Sequence, residues 1–396
     1  MIRLRPRWLF PGDSPPVPHA VISLDGDRID SITTDPSIPA IDLGNVALVP
    51  GLLNAHTHLE FSNLPLPLEP RRHFADWIQT VIEHRRSRPP EVVPAITQGL
   101  QESQSCSVVA LAETATSNWI MEAQPAESPR ILAFREILGL RPEGVAQQLE
   151  IAQSFLDQTE QLRPHKPGIS PHAPYSLHPE LFHGLCDLAQ ARQVPLSMHL
   201  AESPAELELL QQGTGPLVDL FTRMGIWQPG MIPTGTRPLS YLKSLARAPR
   251  VLVVHGNLLD DEEIRFIASQ PHFYVVYCPR THQGMQSFRH PWQEMLRRGI
   301  NVVLGTDSRA SNPDLSIWNE LRFLQKQAPD LPASRLLKLA TSRAAQALGW
   351  NDLGRLAAGC HARMGLVPLS AQGLKDPEKF LFEHPIEHLP EHLLAT

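Results

Sequence analysis

The sequence predicts an α/β protein, a (β/α)8 TIM barrel with a small discontinuous β-sandwich domain formed by both chain ends. Eight short, almost continuously apolar runs recur along the chain, and helical segments separate most of them. Strands that are buried on both faces are apolar throughout. Strands that alternate with helices in this way typically close into a barrel. The eight runs are residues 46–54, 108–112, 131–134, 168–171, 194–198, 251–254, 273–277 and 300–304.

The segments between the runs and at the chain ends complete the prediction. Apolar residues at helical spacing predict helices over 179–192 and 260–269. A Gly- and Pro-rich stretch, 227–237, predicts a loop insertion between the fifth and sixth strands. Short β-like segments at both ends predict one small β-domain, residues 1–48 with 350–396, beside a barrel over 49–349.

Composition narrows the class of protein. With 396 residues, 42% hydrophobic and 19% charged, the chain is typical of a globular protein with a large core. A net charge of −6 argues against an electrostatic nucleic-acid binder. No apolar run reaches the roughly 18 residues that a membrane span needs. Four widely spaced cysteines indicate reduced thiols. We therefore expect a cytoplasmic protein without nucleic-acid or membrane partners.

Polar residues follow nearly every predicted strand. In a barrel these positions converge on the carboxyl-terminal face, where barrel enzymes carry out their chemistry. The sequence therefore predicts a functional site at this face. The residues concerned are His56, His58, Glu113, Glu136, His172, His199, Glu202, His255 and Asp307.

Two of these residues form a His-x-His pair, His56 and His58. Because side chains alternate along a strand, both imidazoles point to the same side. Neutral imidazoles with further nitrogen or oxygen donors suit a divalent ion such as zinc. In a chain with 18 histidines, an isolated pair of this kind is more often a surface or core feature.

The context of the pair resembles the amidohydrolase superfamily. Residues 50–60 read PGLLNAHTHLE, followed in order by MHLAES at 198–203, VHGN at 254–257 and LGTDS at 304–308. Each motif follows a predicted strand. Residues 170–176 and 305–312 resemble the deaminase and chlorohydrolase branch, which includes cytosine deaminase-like, S-adenosylhomocysteine and aminodeoxyfutalosine deaminases.

The resemblance implies a metal site with one divalent ion that activates a water. Zinc is the first choice, with iron, manganese and nickel as alternatives. Some superfamily members hold two ions bridged by a modified lysine after the fourth strand. Here Lys166 precedes that strand, which favours a single ion. The implied ligands are His56, His58, His199 and Asp307.

The resemblance also implies catalytic roles for three residues. Glu202 is expected to move a proton from the water to a ring nitrogen of the substrate. His255 is expected to orient the water, and Asp307 to act as both ligand and base. The structural alternatives are a solvated glutamate at a helix start for Glu202 and a buried structural histidine for His255.

Further residues are candidate substrate contacts. Arg135 and Arg141 are expected either to bind an anionic tail or to lie on the solvated surface. Cys278 is expected to be a buried thiol, and the loop that follows it departs from the relatives' pattern, which leaves the specificity open. The predicted substrate-binding residues are His172, Glu60, Glu113, Glu136 and Arg280.

The leading hypothesis is hydrolytic deamination of an aminated heterocycle, with an adenosine-type nucleoside as one candidate. The first alternative is hydrolysis of a cyclic amide, as in imidazolonepropionase, or of a chlorinated ring. An alternative of another class is a non-catalytic binding protein with the same fold. The expected partner is a small heterocyclic substrate, and a homodimer remains open.

Overall fold

The computed structural model describes residues 1–87, 92–121, 128–159 and 163–389. Seven short strands precede the barrel and belong to two separate sheets. They are β1 (Ile2–Arg5), β2 (Trp8–Leu9), β3 (Val17–Pro18), β4 (Val21–Asp25), β5 (Arg28–Thr33), β6 (Ile41–Asp42) and β7 (Val46–Pro50).

Eight parallel strands then form one sheet, with each strand paired to the next in chain order. A parallel bridge between Thr57, in the first of them, and Asp307, just after the last, joins the two edges. The predicted barrel is confirmed. The strands are β8 (Leu52–Thr57), β9 (Val108–Ala115), β10 (Arg130–Ile137), β11 (Lys166–Pro171), β12 (Leu196–Leu200), β13 (Val251–His255), β14 (Phe273–Tyr277) and β15 (Asn301–Leu304).

Helices surround the barrel and bury apolar residues against it. The helices predicted over 179–192 and 260–269 correspond to α4 and α8 below. The predicted loop insertion, residues 227–237, contains neither helix nor strand. The α-helices are α1 (Phe74–Ser87), α2 (Val93–Ser105), α3 (Val145–Thr159), α4 (Pro179–Arg192), α5 (Pro204–Gln212), α6 (Pro216–Arg223), α7 (Pro238–Leu245), α8 (Asp261–Ala268), α9 (Pro279–Met285), α10 (Trp292–Arg297), α11 (Ile317–Gln327), α12 (Ala333–Leu337), α13 (Ser342–Leu348) and α14 (Pro377–Phe380).

Short 3₁₀ helices occur in several connections. None of the helices in the described part of the chain has the length and apolar character that a bilayer crossing requires. The 3₁₀ helices are Leu59–Phe61, Trp119–Met121, Pro142–Gly144, Pro174–Ser176, Lys338–Ala340 and Leu381–Glu383.

The chain ends form two small sheets beside the barrel. The carboxyl-terminal strands β16 (Met364–Pro368) and β17 (Glu387–His388) join β7, β2 and β3 in a five-stranded sheet. The second sheet has the order β5-β4-β1-β6. Leu4 and Ile22 from the second sheet share one apolar cluster with Leu366 from the first. The sheets therefore pack face to face, as predicted for the chain ends, while the exact domain limits stay a prediction.

The apolar run 46–54 was predicted to be a single strand, but it divides at Gly51. Residues before Gly51 pair with β16, and residues after it enter the barrel as β8. The Gly51 N–H donates to the carbonyl of Arg363, and a Cβ at this position would clash with the side chain of Val109. Apolar content alone cannot reveal such a junction because both strands are buried.

Candidate active site

The carboxyl ends of the barrel strands bring together five of the predicted residues. His56 lies in β8, His58 follows it, His199 lies in β12, His255 ends β13, and Asp307 follows β15. Each is less than a tenth exposed. Two sets of these side chains have ligand atoms within 4.8 Å of one another: His56, His58 and Asp307, and His56, His199 and His255.

Individual distances show how closely the donors approach. Oδ1 of Asp307 lies 3.4 Å from Nε2 of His56 and 3.7 Å from Nε2 of His58. Nε2 of His58 in turn lies 3.3 Å from Nε2 of His199. Three imidazole nitrogens and one carboxylate oxygen therefore surround a common space.

The hydrogen bonds around this space fit a cation. Nδ1 of His199 donates to the backbone carbonyl of His172 at 2.9 Å, which leaves a lone pair on its Nε2. Nε2 of His56 is buried and has no hydrogen-bond partner in the described part of the chain. An orphaned buried nitrogen is costly. A divalent ion would be held by lone pairs of this kind, and the donor set is one that zinc accepts.

Burial also favours the ligand form of the imidazoles. Desolvation lowers the pKa of His58, His199 and His255 well below the ordinary value, so that the neutral rings prevail. For Asp307 burial acts to raise the pKa, but the nearby rings of His56, His255 and His58 together outweigh it and the pKa is lowered. The carboxylate therefore stays ionised.

The backbone at three of these strand ends adopts the left-handed conformation. The φ angles are +55° at Ala201, +68° at His255 and +59° at Asp307. Such angles are uncommon outside glycine and cluster at functional sites. The hydroxyl of Ser311 holds Asp307 by donating to its Oδ2 at 2.6 Å, and Nε2 of His290 donates to the carbonyl of His255 at 2.8 Å.

Glu202 lies beside this cluster. Its Oε1 is 3.4 Å from Nε2 of His255, and the residue is 5% exposed. Burial raises the pKa of Glu202 well above that of a free glutamate, and the negative charges of Asp307 and Glu206 raise it further. A buried carboxyl with a raised pKa can hold and release a proton near neutrality.

A cavity of about 450 Å³ opens above these residues. Its polar floor includes His199, Glu202 and Asp307. Much of its wall is apolar and comes from α1 and neighbouring segments. The apolar wall residues are Phe61, Trp77, Ile78, Val81, Ile82 and Phe221.

His172 is the predicted substrate contact that the structure brings to the cavity wall. Its Nδ1 lies 2.7 Å from the hydroxyl of Ser176, which itself donates to the Ala173 carbonyl. Nδ1 of His172 must therefore be the donor to this hydroxyl. Burial lowers the pKa of His172 to about 3, so its ring is neutral.

Glu60 and Glu136 lie just behind the wall. Oε1 of Glu60 accepts from the guanidinium of Arg85 at 2.7 Å. Oε2 of Glu136 lies 3.7 Å from the same guanidinium, and Oε1 lies 3.9 Å from Nε2 of His172. The Glu136 side chain is fully buried, so it contacts the wall residues rather than the open cavity.

The structure does not bring Arg280 and Glu113 to the cavity. The guanidinium of Arg280 is engaged by Glu320 at 2.7 Å and by Asp314. Both oxygens of Glu113 accept the N–H of Leu59 at 3.1 Å. Backbone and ion-pair partners already occupy these side chains, and the predicted substrate contacts of Arg280 and Glu113 stay predictions.

Four other predicted positions are accounted for. Arg141 lines the cavity, whereas the Arg135 guanidinium donates to the carbonyl of Ala115. Cys278 is 1% exposed, as expected of a buried thiol. Lys166 begins β11 and bonds to the carbonyl of Gly349, at the opposite end of the barrel from the site.

Sequence reasoning missed Arg85, although it lines the cavity. Arg85 belongs to a run of basic residues at the end of α1 that resembles an exposed helix terminus. A usable signal was present, since Ile78, Val81, Ile82 and Arg85 have the spacing of one helix face. That face forms the cavity wall.

The model of the amidohydrolase family matches residues 47–383. This chain belongs to the amidohydrolase family. The match covers the whole barrel and all the site residues described above, and the prediction of a hydrolase of this family is confirmed.

Among the relatives of this amidohydrolase is the 5-methylthioadenosine/S-adenosylhomocysteine deaminase of Nitratidesulfovibrio vulgaris. The two sequences are 31% identical over 359 residues, which cover 85% of this chain and 74% of the relative. The alignment therefore spans most of both proteins.

The fold is shared with solved structures of deaminases. Helicobacter pylori aminofutalosine deaminase, in complex with methylthio-coformycin, is 20% identical with a TM-score of 0.78, covering 95% of this chain and 96% of that one. An adenosine deaminase from Xanthomonas campestris with bound zinc is 22% identical with a TM-score of 0.74, covering 97% and 90%. At these identities the likeness establishes the fold alone.

Proposed function

We propose that this amidohydrolase hydrolytically deaminates a 6-aminopurine nucleoside that carries an apolar 5′ substituent. The observation that carries the proposal is the buried Glu202 carboxyl, 3.4 Å from His255, at the floor of a cavity with a cluster of candidate metal ligands. The deaminase relative from Nitratidesulfovibrio vulgaris supports the same reaction.

We further propose that His56, His58, His199 and Asp307 hold one divalent ion, and that this ion is zinc. The short distances among their ligand atoms and the unpaired Nε2 of His56 support this ligand set. The zinc in the Xanthomonas campestris structure supports the choice of metal. When bound, such an ion lowers the pKa of a coordinated water from 15.7 toward about 7.

The residues around the metal site handle the protons. Glu202 takes a proton from the attacking water and delivers it to ring nitrogen N1, which makes C6 more electrophilic. The ionised Asp307 accepts the second proton, and Nε2 of His255 interacts with the oxygen that becomes bonded to C6. In the balance a C6–O bond forms and the C6–N bond breaks. One proton of the water stays on N1 of the product, and Asp307 passes the other to the amino group, which leaves as ammonia.

The cavity wall supports the choice of substrate class. Apart from Arg85, whose guanidinium is paired with Glu60, the side chains that α1 and Phe221 present to the cavity are apolar, and they favour an uncharged thioether or similar group over a charged tail. His172, a neutral ring on the same wall, is proposed to contact the nucleoside. The relative named for 5-methylthioadenosine and the methylthio-coformycin complex agree with this class.

The test is ammonia release from a panel of substrates. The panel contains 5′-methylthioadenosine, adenosine, S-adenosylhomocysteine, guanine and cytosine. We expect the highest kcat/KM for 5′-methylthioadenosine, with a lower value for the charged S-adenosylhomocysteine. Absence of ammonia from every 6-aminopurine nucleoside would overturn the proposal, and chloride release from a chlorinated ring would favour the chlorohydrolase alternative.

A further inference from the structure

Glu206 makes contacts that an ordinary helix-start glutamate does not make. It is the third residue of α5, and its own N–H donates to the hydroxyl of Ser203, the residue that caps the helix. In a capping box the glutamate would accept from the N–H of the capping residue. Here its carboxylate reaches further back and accepts from the N–H groups of Ala201 and Glu202, both at 2.9 Å.

The start of α8 offers a direct comparison within the same chain. Glu263 is also the third residue of its helix, and its N–H donates to the side chain of Asp260. Its Oε2 accepts from the N–H of Asp260 at 2.8 Å, which completes the capping box, and its Oε1 accepts from Leu239. Glu206 and Glu263 are thus both buried glutamates that accept two backbone N–H groups. Of the two, Glu206 alone contacts the backbone of Glu202.

The backbone of Glu202 is held from its other side as well. Nδ2 of Asn257 and Nε2 of Gln286 donate to the Glu202 carbonyl at 2.9 and 3.1 Å. The preceding residue, Ala201, has a φ of +55°, a conformation that costs energy in a residue with a Cβ and persists only where neighbours impose it. The fully buried carboxylate of Glu206 bonds to the N–H groups of both Ala201 and Glu202, and so spans this strained residue.

We propose that Glu206 is a positioning residue that fixes the backbone of Glu202 and thereby keeps the Glu202 carboxyl beside His255. The inference rests on the proposed function, in which Glu202 carries the protons. Glu206 does not line the cavity, so it acts on the substrate indirectly. An amide in its place would keep one acceptor but would direct an NH₂ group at the second N–H.

The proposal predicts a specific kinetic change in the Glu206→Gln variant. A displacement of about 1 Å in a catalytic group costs up to roughly 100-fold in rate. We expect kcat for a 6-aminopurine nucleoside to fall about 10- to 100-fold, with KM changed less than about twofold and metal content unchanged. The matched control is Glu263→Gln, which makes the same chemical change at the start of α8 and is expected to keep the wild-type kcat.

A double variant separates positioning of Glu202 from general damage to the site. If Glu206 acts on the reaction by positioning Glu202, its substitution should cost little once Glu202 has lost its transferable proton. Adding Glu206→Gln to the Glu202→Gln variant is therefore expected to lower kcat by less than about twofold. A further loss of about 10- to 100-fold in the double variant, or equal kcat values for the Glu206→Gln and Glu263→Gln single variants, would overturn the proposal.

A structural readout keeps this test independent of the proposed function. Crystal structures of the wild-type and Glu206→Gln proteins are expected to show the Glu202 carboxyl displaced from His255, with His56, His58 and Asp307 unmoved. If the wild-type protein deaminates no 6-aminopurine nucleoside but this displacement occurs, the function fails and the positioning role survives. An unmoved Glu202 carboxyl would reject the positioning role whatever the substrate.

Discussion

Oε1 of Glu202 lies 3.4 Å from Nε2 of His255, and both side chains are buried at the floor of the cavity. Burial raises the pKa of the carboxyl and lowers that of the imidazole. Both shifts favour the neutral forms of the two groups. A carboxyl in this environment is suited to gain and lose a proton during turnover.

The Glu202→Gln variant is expected to lose about 10²- to 10⁴-fold in kcat, the usual contribution of a general acid or base. Its amide matches the carboxyl in size but carries no transferable proton. Steady-state kinetics and metal analysis of the same preparation check this. Unchanged turnover would show that another group moves the protons, whereas loss of the metal would show that Glu202 is a ligand.

The stability of the protein is expected to fall between about pH 4.5 and pH 7 through the titration of Glu206. Burial raises the pKa of Glu206 from 4.5 to about 7, so the folded state holds this proton more tightly than the unfolded state does. Stability from this group is complete below pH 4.5 and is lost as the pH rises through 7. The shift corresponds to on the order of 3 kcal/mol.

Denaturant unfolding of the wild-type and Glu206→Gln proteins at about pH 5 and about pH 7.5 measures this effect. The difference in unfolding free energy between the two proteins should change with pH, and it should favour the wild-type protein more at the lower pH. A difference that is the same at both values would mean that Glu206 has a similar pKa in the folded and unfolded states.

The Arg85→Leu variant is expected to be destabilised by about 3 kcal/mol. Removing the guanidinium leaves Glu60 and Glu136 beside each other without the cation between them. Adding Glu136→Gln to Arg85→Leu should restore part of the loss, because it removes one of the two carboxylates. Thermal unfolding of the single and double variants decides this, and a double variant no more stable than the single one would contradict the pairing.

The Arg280→Gln variant is expected to lose stability but to keep its KM. The arginine pairs with the buried Glu320 and with Asp314, so its loss should cost about 3 kcal/mol in the unfolding free energy. Substrate titration of the variant is the decisive measurement. A several-fold rise in KM with normal stability would contradict this expectation and support the predicted substrate contact.

The barrel and the residues at its carboxyl-terminal rim could be predicted from the sequence because two patterns agree there: the apolar runs and the polar residues that follow them. Continuous apolar runs mark strands that are buried on both faces, and a proposed ligand such as Asp307 lies three residues beyond the end of its strand. The alternation of His56 and His58 then predicts that both rings face the same side. In a closed parallel barrel the carboxyl ends of all strands lie at one face, so residues that are distant in the sequence are brought together there.

Other features depend on contacts between distant segments. The division at Gly51 requires the approach of Val109 and Arg363, which no local pattern reveals. The engagement of Arg280 by Glu320 likewise joins residues forty positions apart. The sequence at the start of α5 matches a capping box, yet its glutamate bonds to residues that precede the expected partner. These hydrogen bonds of Glu206 depend on the left-handed conformation of Ala201, just after β12.

Metal analysis with chelation tests most directly whether one cation is bound by the proposed ligands. These are the imidazoles of His56, His58 and His199 and the carboxylate of Asp307. We expect about one equivalent of divalent metal per chain, loss of ammonia release when a chelator removes it, and recovery with zinc. The Asp307→Asn variant is expected to bind metal more weakly and to lose activity in parallel. Full turnover by metal-free protein, or unchanged metal content and turnover in Asp307→Asn, would contradict the proposed site.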